Sequence, residues 1–186
     1  QFYNKNDKLK ITDLHQGIVW GTQTNETSLD INLINRFDYD GDFGTVLNRF
    51  IVQSALKYPL TVYGIGGQKR AFININDTVQ CIKIALENPP KNDERVRILN
   101  QVSEVFKIKD LAELISSKSN CAINYLDNPR NEAKENELEV ENKTFIDLGF
   151  KPQTLGENII NEIESNVTKY LDRIDKSKIL SKVQWN

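Results

Sequence analysis

Apolar residues along the chain alternate between short runs and helical spacing, and this alternation predicts an α/β fold. Short runs bounded by turn residues predict strands at residues 8–14, 18–20, 60–63, 70–75, 95–100 and 123–126. Apolar positions three and four residues apart predict helices at residues 45–58, 77–89, 108–116, 142–148 and 154–171. Residues 22–44 are rich in Asn, Asp and Thr and predict a long loop. A loop of this length in a compact domain is usually functional or flexible.

The predicted helices also have recognisable ends. Asp77 with Gln80 fits the capping box, as does Thr154 with Glu157. Gly149 suits the position just after a helix. The faces expected to be buried consist of Leu47, Phe50, Ile51, Ser54, Ala55 and Tyr58, then Val79, Ile82, Ala85 and Leu86, then Leu111, Leu114 and Ile115, and finally Leu155, Ile159, Ile163, Val167 and Leu171.

Composition and charge exclude several classes of partner. With 24 basic and 26 acidic residues the net charge is −2, so no general field attracts nucleic acid or a membrane surface, and we expect neither as a partner. Two cysteines outside any CxxC pair and a single histidine predict no metal site and a reducing compartment. The chain starts at Gln1 and contains no methionine, so we expect a piece of a longer protein.

Several catalytic motifs are missing from the sequence. No strand is followed by GxGxxG, because the glycines of residues 64–67 have a different spacing. No tyrosine has a lysine four residues later, and GxSxG, HExxH and the P-loop are also absent. We therefore expect no catalytic residue and no complete dinucleotide site in this chain.

Three segments are candidates for binding an anion, each with a plainer alternative. Arg70 follows a glycine turn and suits a phosphate, or the turn is an ordinary β-turn with a surface arginine. Arg130 and Glu132 suit a phosphate and ribose hydroxyls, or they form a salt-bridged surface loop. Thr45, Asn48 and Arg49 begin a helix, whose N-terminus favours anions, or they serve only as cap and solvated face.

Taken in order, four segments resemble a known family. They are TDLHQGIVWGTQT (12–24), NRFDYDGDFGTVLNRFIVQ (35–53), YPLTVYGIGGQKRAFI (58–73) and NPRNEAKENEL (128–138). The chain resembles the C-terminal part of the extended short-chain dehydrogenase/reductases that act on nucleotide sugars, the NAD-dependent epimerase/dehydratase family, and within it the UDP-sulfoquinovose synthase branch. The resemblance implies a Rossmann-like α/β fold with a small α/β substrate-binding lobe, in which the N-terminal Rossmann half is absent.

The resemblance also implies site residues. Gln16 would lie near the nicotinamide of NAD, and Thr61 and Tyr63 against the uracil. Arg70 and Arg130 would hold the diphosphate. The remaining expected substrate-binding residues are Thr45, Asn48, Arg49, Gln68 and Glu132.

The implied activity is the conversion of UDP-glucose and sulfite to UDP-sulfoquinovose, for sulfolipid biosynthesis, through a tightly held NAD. The catalytic tyrosine and lysine would precede residue 8, so this chain alone is expected to be inactive. The alternatives are another UDP-sugar epimerase or 4,6-dehydratase, and a non-catalytic nucleotide-sugar-binding module. We expect residues 1–171 to form the nucleotide-sugar-binding part, with the last Rossmann strands interleaved, and residues 172–186 to form a loose polar tail. The resemblance further implies a homodimer in the cytoplasm or a plastid stroma.

Overall fold

A computed structural model describes residues 2–91, 94, 96–130, 132–162 and 166–180. Its helices and strands alternate along the chain, which confirms the α/β prediction. The helices are α1 (Phe2–Asp7), α2 (Val46–Ala55), α3 (Ile75–Glu87), α4 (Ile108–Ser119), α5 (Lys143–Asp147) and α6 (Leu155–Asn161). The strands are β1 (Thr12–Gln16), β2 (Ile18–Trp20), β3 (Leu60–Tyr63), β4 (Lys69–Asn74), β5 (Arg97–Gln101), β6 (Glu104–Lys107) and β7 (Ile123–Leu126).

The described strands form three small sheets, and most of the pairing is parallel. β1 pairs with β5, and β3 pairs with β7, both in parallel. In the third sheet β4 lies between β2, which runs parallel to it, and β6, which runs antiparallel. Parallel pairs bring the carboxyl ends of their strands to one edge, where ligands bind in open α/β sheets.

The main hydrophobic core joins α2, α4, α6 and strand β3. Helix α2 is buried almost all round, because seven of its ten residues, including Arg49 and Gln53, are buried. Thr45 caps it by accepting a hydrogen bond from the Asn48 backbone N–H. Tyr58, expected on the buried face, lies beyond the end of the helix and is exposed.

A second, smaller core lies between α3, β5 and α5. Phe145 of α5 is fully buried and meets Phe150 edge to face, with ring centroids 6.0 Å apart. Gly149 has a φ of +98°, and its N–H donates to the Ile146 carbonyl, so it ends α5 as predicted.

Helix α3 departs from the sequence-based prediction in both its cap and its buried face. Asn74, not Asp77, is the N-cap and accepts a hydrogen bond from the Asn76 N–H. The side chain of Asp77 is buried and accepts hydrogen bonds from the Ser103 hydroxyl and the Gln153 N–H. Burial raises the pKa of Asp77, while these two hydrogen bonds lower it.

The capping box at Asp77 therefore predicted the start of α3 at the wrong residue. The apolar residues of α3 lie on two sides of the helix. Cys81, Ile84 and Ala85 pack into the second core. Burial, together with the charge of Asp77, raises the pKa of Cys81 to about 12, so its thiol stays protonated at neutral pH. Val79, Ile82 and Leu86, expected to be buried, are exposed.

Other departures are local. Strand β1 starts at Thr12 and not at residue 8, and neither α1 nor β6 was predicted. Thr154 is the N-cap of α6, as predicted, but its side chain makes no capping hydrogen bond. The tail expected from residue 172 is not wholly irregular, since 3-10 turns span Val167–Arg173 and Lys176–Lys178 and Ile179 is buried in the main core. Arg95, Ile163 and residues 181–186, which figured in the predictions, lie outside the described residues, as does the side chain of Glu157.

Among the described residues, none of the helices combines the length and apolar character that a membrane span requires.

We predict that Phe145→Ala lowers the free energy of unfolding by about 3–5 kcal/mol, because truncation of a fully buried ring leaves a cavity. Ile146→Ala, at the exposed neighbouring position, is the matched control and should cost less than about 1 kcal/mol. Denaturant titration measures both changes, and equal losses in the two variants would contradict the assignment of the second core.

Candidate functional site

A cavity of about 230 Å³ lies where the carboxyl ends of β3 and β7 meet the start of α2. Its walls come from five elements and from the loops between them. They consist of Ile18, Gly44, Thr45, Val46, Arg49, Tyr63, Gln68, Arg70, Ile108, Asn128, Arg130 and Glu132. Seven of the residues expected to bind substrate are in this set, so the fold brings together side chains that are far apart in sequence.

Arg70 and Glu132 form an ion pair across the cavity wall. The Arg70 Nη2 atom lies 3.6 Å from a Glu132 carboxylate oxygen, and Nη1 donates to the Lys69 carbonyl at 3.0 Å. Both side chains are about one-third exposed. Arg70 is therefore held at the rim, where solvent screening weakens the pair and a stronger anion can compete for the guanidinium.

Arg130 is presented by a local turn after β7. The Asn128 side chain accepts a hydrogen bond from the Arg130 N–H at 3.0 Å, which forms the Asx turn expected of Asn before proline. The guanidinium donates weakly, at 3.5 Å, to the carbonyls of Gly41 and Asp42. Its buried Nε has no hydrogen-bond partner among the described residues.

Arg49 is the most deeply placed of the three arginines. It is 5% exposed, and its Nη2 donates to the Thr61 carbonyl at 3.1 Å. Burial lowers its pKa and the charge of Arg130 lowers it further, while Tyr63 raises it. Three guanidinium groups thus share one small cavity with one carboxylate, Glu132, among its walls. This arrangement favours an anionic ligand.

The glycine turn at residues 64–67 packs closely against the backbone of two other segments. Gly66 has a φ of +68°, and a Cβ there would lie 3.0 Å from the Lys109 backbone nitrogen. A Cβ on Gly67 would lie 2.7 Å from the Lys134 carbonyl oxygen. Gln68 is buried and donates to the Ala133 carbonyl, so its amide supports the 133–136 segment even though it lines the cavity. The glycines therefore position Arg70 and make no cradle of their own.

The loop before α2 forms another wall. Asp40 accepts hydrogen bonds from the N–H groups of Asp42 and Phe43, and a Cβ on Gly44 would clash with the Asp40 backbone. Hydrogen bonds from backbone N–H groups, that of Phe43 first, lower the pKa of Asp40. Asn48, an expected cavity residue, instead donates to the Asp38 carbonyl and is not part of the lining. Its contribution is to hold the loop against the helix.

Thr61 is linked to α2, and its expected contact with the uracil stays a prediction. It is buried, its hydroxyl accepts a hydrogen bond from Gln53 at 2.8 Å, and its N–H donates to the same amide at 3.1 Å. Its side chain is absent from the cavity lining because it faces α2. Gln53 was missed as a supporting residue, although a glutamine within an apolar helix face was a visible signal.

Gln16 lies apart from this cavity. It is exposed at the end of β1, and its amide donates to the Thr78 hydroxyl at 3.4 Å. Its expected place near a nicotinamide stays a prediction.

The described part of the chain also has a second cavity, a weaker candidate for a functional site. A larger cavity of about 320 Å³ between residues 34–39 and 166–174 is mainly apolar and contains none of the expected site residues. Its two arginines already have neighbours, since Arg36 pairs with Asp38 and Arg173 stacks on Tyr170. Within the described ranges, no three His, Cys, Asp or Glu side chains are grouped to hold a metal ion.

Two curated proteins are similar to almost the whole chain. The identity is 41% over 182 residues with the chloroplastic UDP-sulfoquinovose synthase of Spinacia oleracea, and 39% over 184 residues with the UDP-sulfoquinovose synthase of Sulfolobus acidocaldarius. Each alignment covers 95% of this chain but only 38% and 46% of the respective relatives. The chain therefore spans less than half the length of these proteins. No protein-family model matches it.

A solved structure shares the fold. The UDP-glucuronic acid 4-epimerase of Bacillus cereus, in complex with UDP-glucuronic acid and NAD, superposes with a TM-score of 0.61 at 24% identity. The match covers 92% of this chain and 48% of the epimerase. At this identity the likeness concerns the fold alone, and it confirms the expectation of part of a Rossmann-like α/β enzyme fold.

We predict that Gln53→Leu lowers the free energy of unfolding by about 2–4 kcal/mol, because it leaves the buried N–H and hydroxyl of Thr61 unpaired. The same substitution at exposed Gln80 should cost less than about 0.5 kcal/mol. Denaturant titration of both variants tests the supporting role, which would be wrong if Gln53→Leu were as stable as the control.

Proposed function

We propose, from the premise that the chain is a homologue of the UDP-sulfoquinovose synthases, that it forms the nucleotide-sugar-binding part of an enzyme converting UDP-glucose and sulfite to UDP-sulfoquinovose. The observation that carries the proposal is the identity of about 40% with two such synthases over nearly the whole chain. Both relatives are UDP-sulfoquinovose synthases, which supports this activity over the epimerase, dehydratase and non-catalytic alternatives. UDP-sulfoquinovose would then serve sulfolipid biosynthesis.

The cavity at the ends of β3 and β7 is the proposed UDP-sugar site. Arg70 and Arg130 bind the diphosphate, since both have guanidinium donors that internal contacts leave weakly engaged. Tyr63 lies against the uracil. Thr45 and Gln68 line the cleft, and Glu132 divides its carboxylate between Arg70 and the ribose. Asn48 and Thr61 act through the backbone that they hold in place.

NAD is the proposed cofactor, and little of its site lies in this chain. The sequence has no glycine fingerprint after a strand, so the pyrophosphate of NAD has no cradle here. Gln16, exposed at the carboxyl end of β1, fits a contact with the nicotinamide end. When bound, NAD supplies the reversible oxidation of the sugar, while residues of this chain bind and orient the nucleotide.

Two exposed features of the chain support the proposal that it packs against another part of the same enzyme. Among the described strands, β1 has only β5 as a partner, and α3 exposes Val79, Ile82 and Leu86. We infer that residues 1–171 pack on the dinucleotide-binding part of the enzyme through these surfaces, with residues 172–186 continuing beyond the substrate part. The whole enzyme is proposed to be a homodimer of the cytoplasm or a plastid stroma, the latter in keeping with the chloroplastic relative.

We predict that Arg70→Gln and Arg130→Gln, made in the full-length protein, each weaken UDP-glucose binding by about 1.5–3 kcal/mol, the range for a charge-assisted hydrogen bond. Arg97→Gln is the matched control, because Arg97 pairs with Glu94 and is not part of the cavity lining. Calorimetric titration measures the affinities, and unchanged binding in both test variants would remove these arginines from the phosphate site.

The activity is tested with the full-length protein, NAD, UDP-glucose and sulfite, with mass spectrometry of the products. We expect UDP-sulfoquinovose, and its formation should depend on sulfite. The chain of residues 1–186 alone should give no product. Formation of UDP-galactose or of a 4-keto-6-deoxy sugar without a sulfonated product would overturn the proposed reaction.

A further inference from the structure

The guanidinium group of Arg49 lies directly against the ring of Tyr63. Its central carbon is 4.5 Å from the Tyr63 ring centroid and 5.7 Å from that of Phe50. Arg49 is 5% exposed, so water screens this contact poorly. A cation held over an aromatic face without solvent is a favourable cation–π arrangement.

The periodicities of a helix and a strand explain why the two groups meet. Arg49 and Gln53 are one turn apart on α2 and share a face, while Thr61 and Tyr63 are two residues apart on β3 and share a side. Gln53 binds the backbone N–H and hydroxyl of Thr61, and Arg49 binds the Thr61 carbonyl. Three hydrogen bonds at Thr61 therefore fix the register of β3 against α2 and bring the Tyr63 ring over the guanidinium.

The environment of Arg49 also distinguishes it from the other two arginines. Arg70 pairs with a carboxylate at the rim, and Arg130 reaches loop carbonyls, whereas the buried Arg49 contacts the rings of Phe50 and Tyr63. Tyr63 lines the cavity as well as contacting Arg49. Arg49 and Tyr63 therefore contact each other within the wall of the space where a ligand would bind.

We propose that Arg49 is a positioning residue for the nucleotide base: its guanidinium packs over the Tyr63 ring and holds that ring in place for stacking on the base, while Arg70 and Arg130 bind the phosphates. This inference rests on the proposed function. It separates the cleft into a base end, organised by α2 and β3, and a phosphate end, organised by the glycine turn and the loop after β7.

The test compares three probes in the full-length protein: UDP, uridine and inorganic pyrophosphate. Arg49→Gln should weaken UDP and uridine by the same factor, roughly 3- to 30-fold, and leave pyrophosphate unchanged. Arg130→Gln should weaken UDP and pyrophosphate and leave uridine unchanged. Arg49→Lys, which keeps the charge, should recover part of the uridine affinity. Calorimetry, with ligand-observed NMR for the weakest pairs, gives the dissociation constants.

A double-mutant cycle separates positioning from a general loss of structure. Tyr63→Leu removes the ring, so adding Arg49→Gln to it should cause no further loss of uridine affinity. If Arg49→Gln does not fold, Arg49→Lys replaces it in the same cycle.

Two results would overturn the inference. One is a loss of pyrophosphate affinity in Arg49→Gln equal to that for UDP, which would make Arg49 a phosphate ligand. The other is additive losses in the cycle. A folded wild-type protein that binds none of the three probes would instead refute the proposed function, and the inference with it.

Discussion

The placement of three guanidinium groups in the wall of one cavity is the constraint on which the rest of the cleft depends. Arg49, Arg70 and Arg130 line one cavity with Glu132 as the carboxylate of its wall. Like charges in the wall of one partly dry cavity repel each other, which costs free energy. Each arginine donates to backbone carbonyls: Arg49 to that of Thr61, Arg70 to that of Lys69, and Arg130 to those of Gly41 and Asp42. The carbonyl dipoles compensate part of the charge, and the remainder is available to an anionic ligand.

The same backbone contacts make the cleft depend on protein packing away from it. The glycine turn places Arg70 because Gly66 and Gly67 let the chain pass close to the backbone of residues 109 and 134. The loop before α2 receives the Arg130 guanidinium because Asp40 folds it into a tight turn and Asn48 holds it to the helix. Because backbone contacts hold the arginines in place, their positions are set before a ligand binds, which suits the binding of an anion.

The two cores divide the chain according to the tasks proposed for it. The main core supports the cavity through α2, β3 and α4. The second core binds α3 and α5 to β5, and it leaves β1 and the outer face of α3 as the surface proposed to meet the rest of the enzyme. Gln16 lies on that second surface and not in the cleft.

Sequence periodicity by itself determined the type and approximate position of most elements, because the alternation of apolar residues is a local property. The ends set by Thr45 and Gly149 were predictable for the same reason, since a cap involves residues within one turn. The chemistry of Arg70 and Arg130 was also readable, because a guanidinium suits phosphate in any fold.

Tertiary structure alone decided which side of an element is buried and which polar group meets which. Helix α3 has apolar residues on two sides, and packing against β5 chose Cys81, Ile84 and Ala85 over Val79, Ile82 and Leu86. Asp77 became a buried acceptor because Ser103 and Gln153 approach it from elsewhere in the chain. The hydrogen bond between Thr61 and Gln53 and the burial of Ile179 in the main core likewise depend on contacts between separate elements. Such contacts join residues far apart in sequence, so no local pattern specifies them.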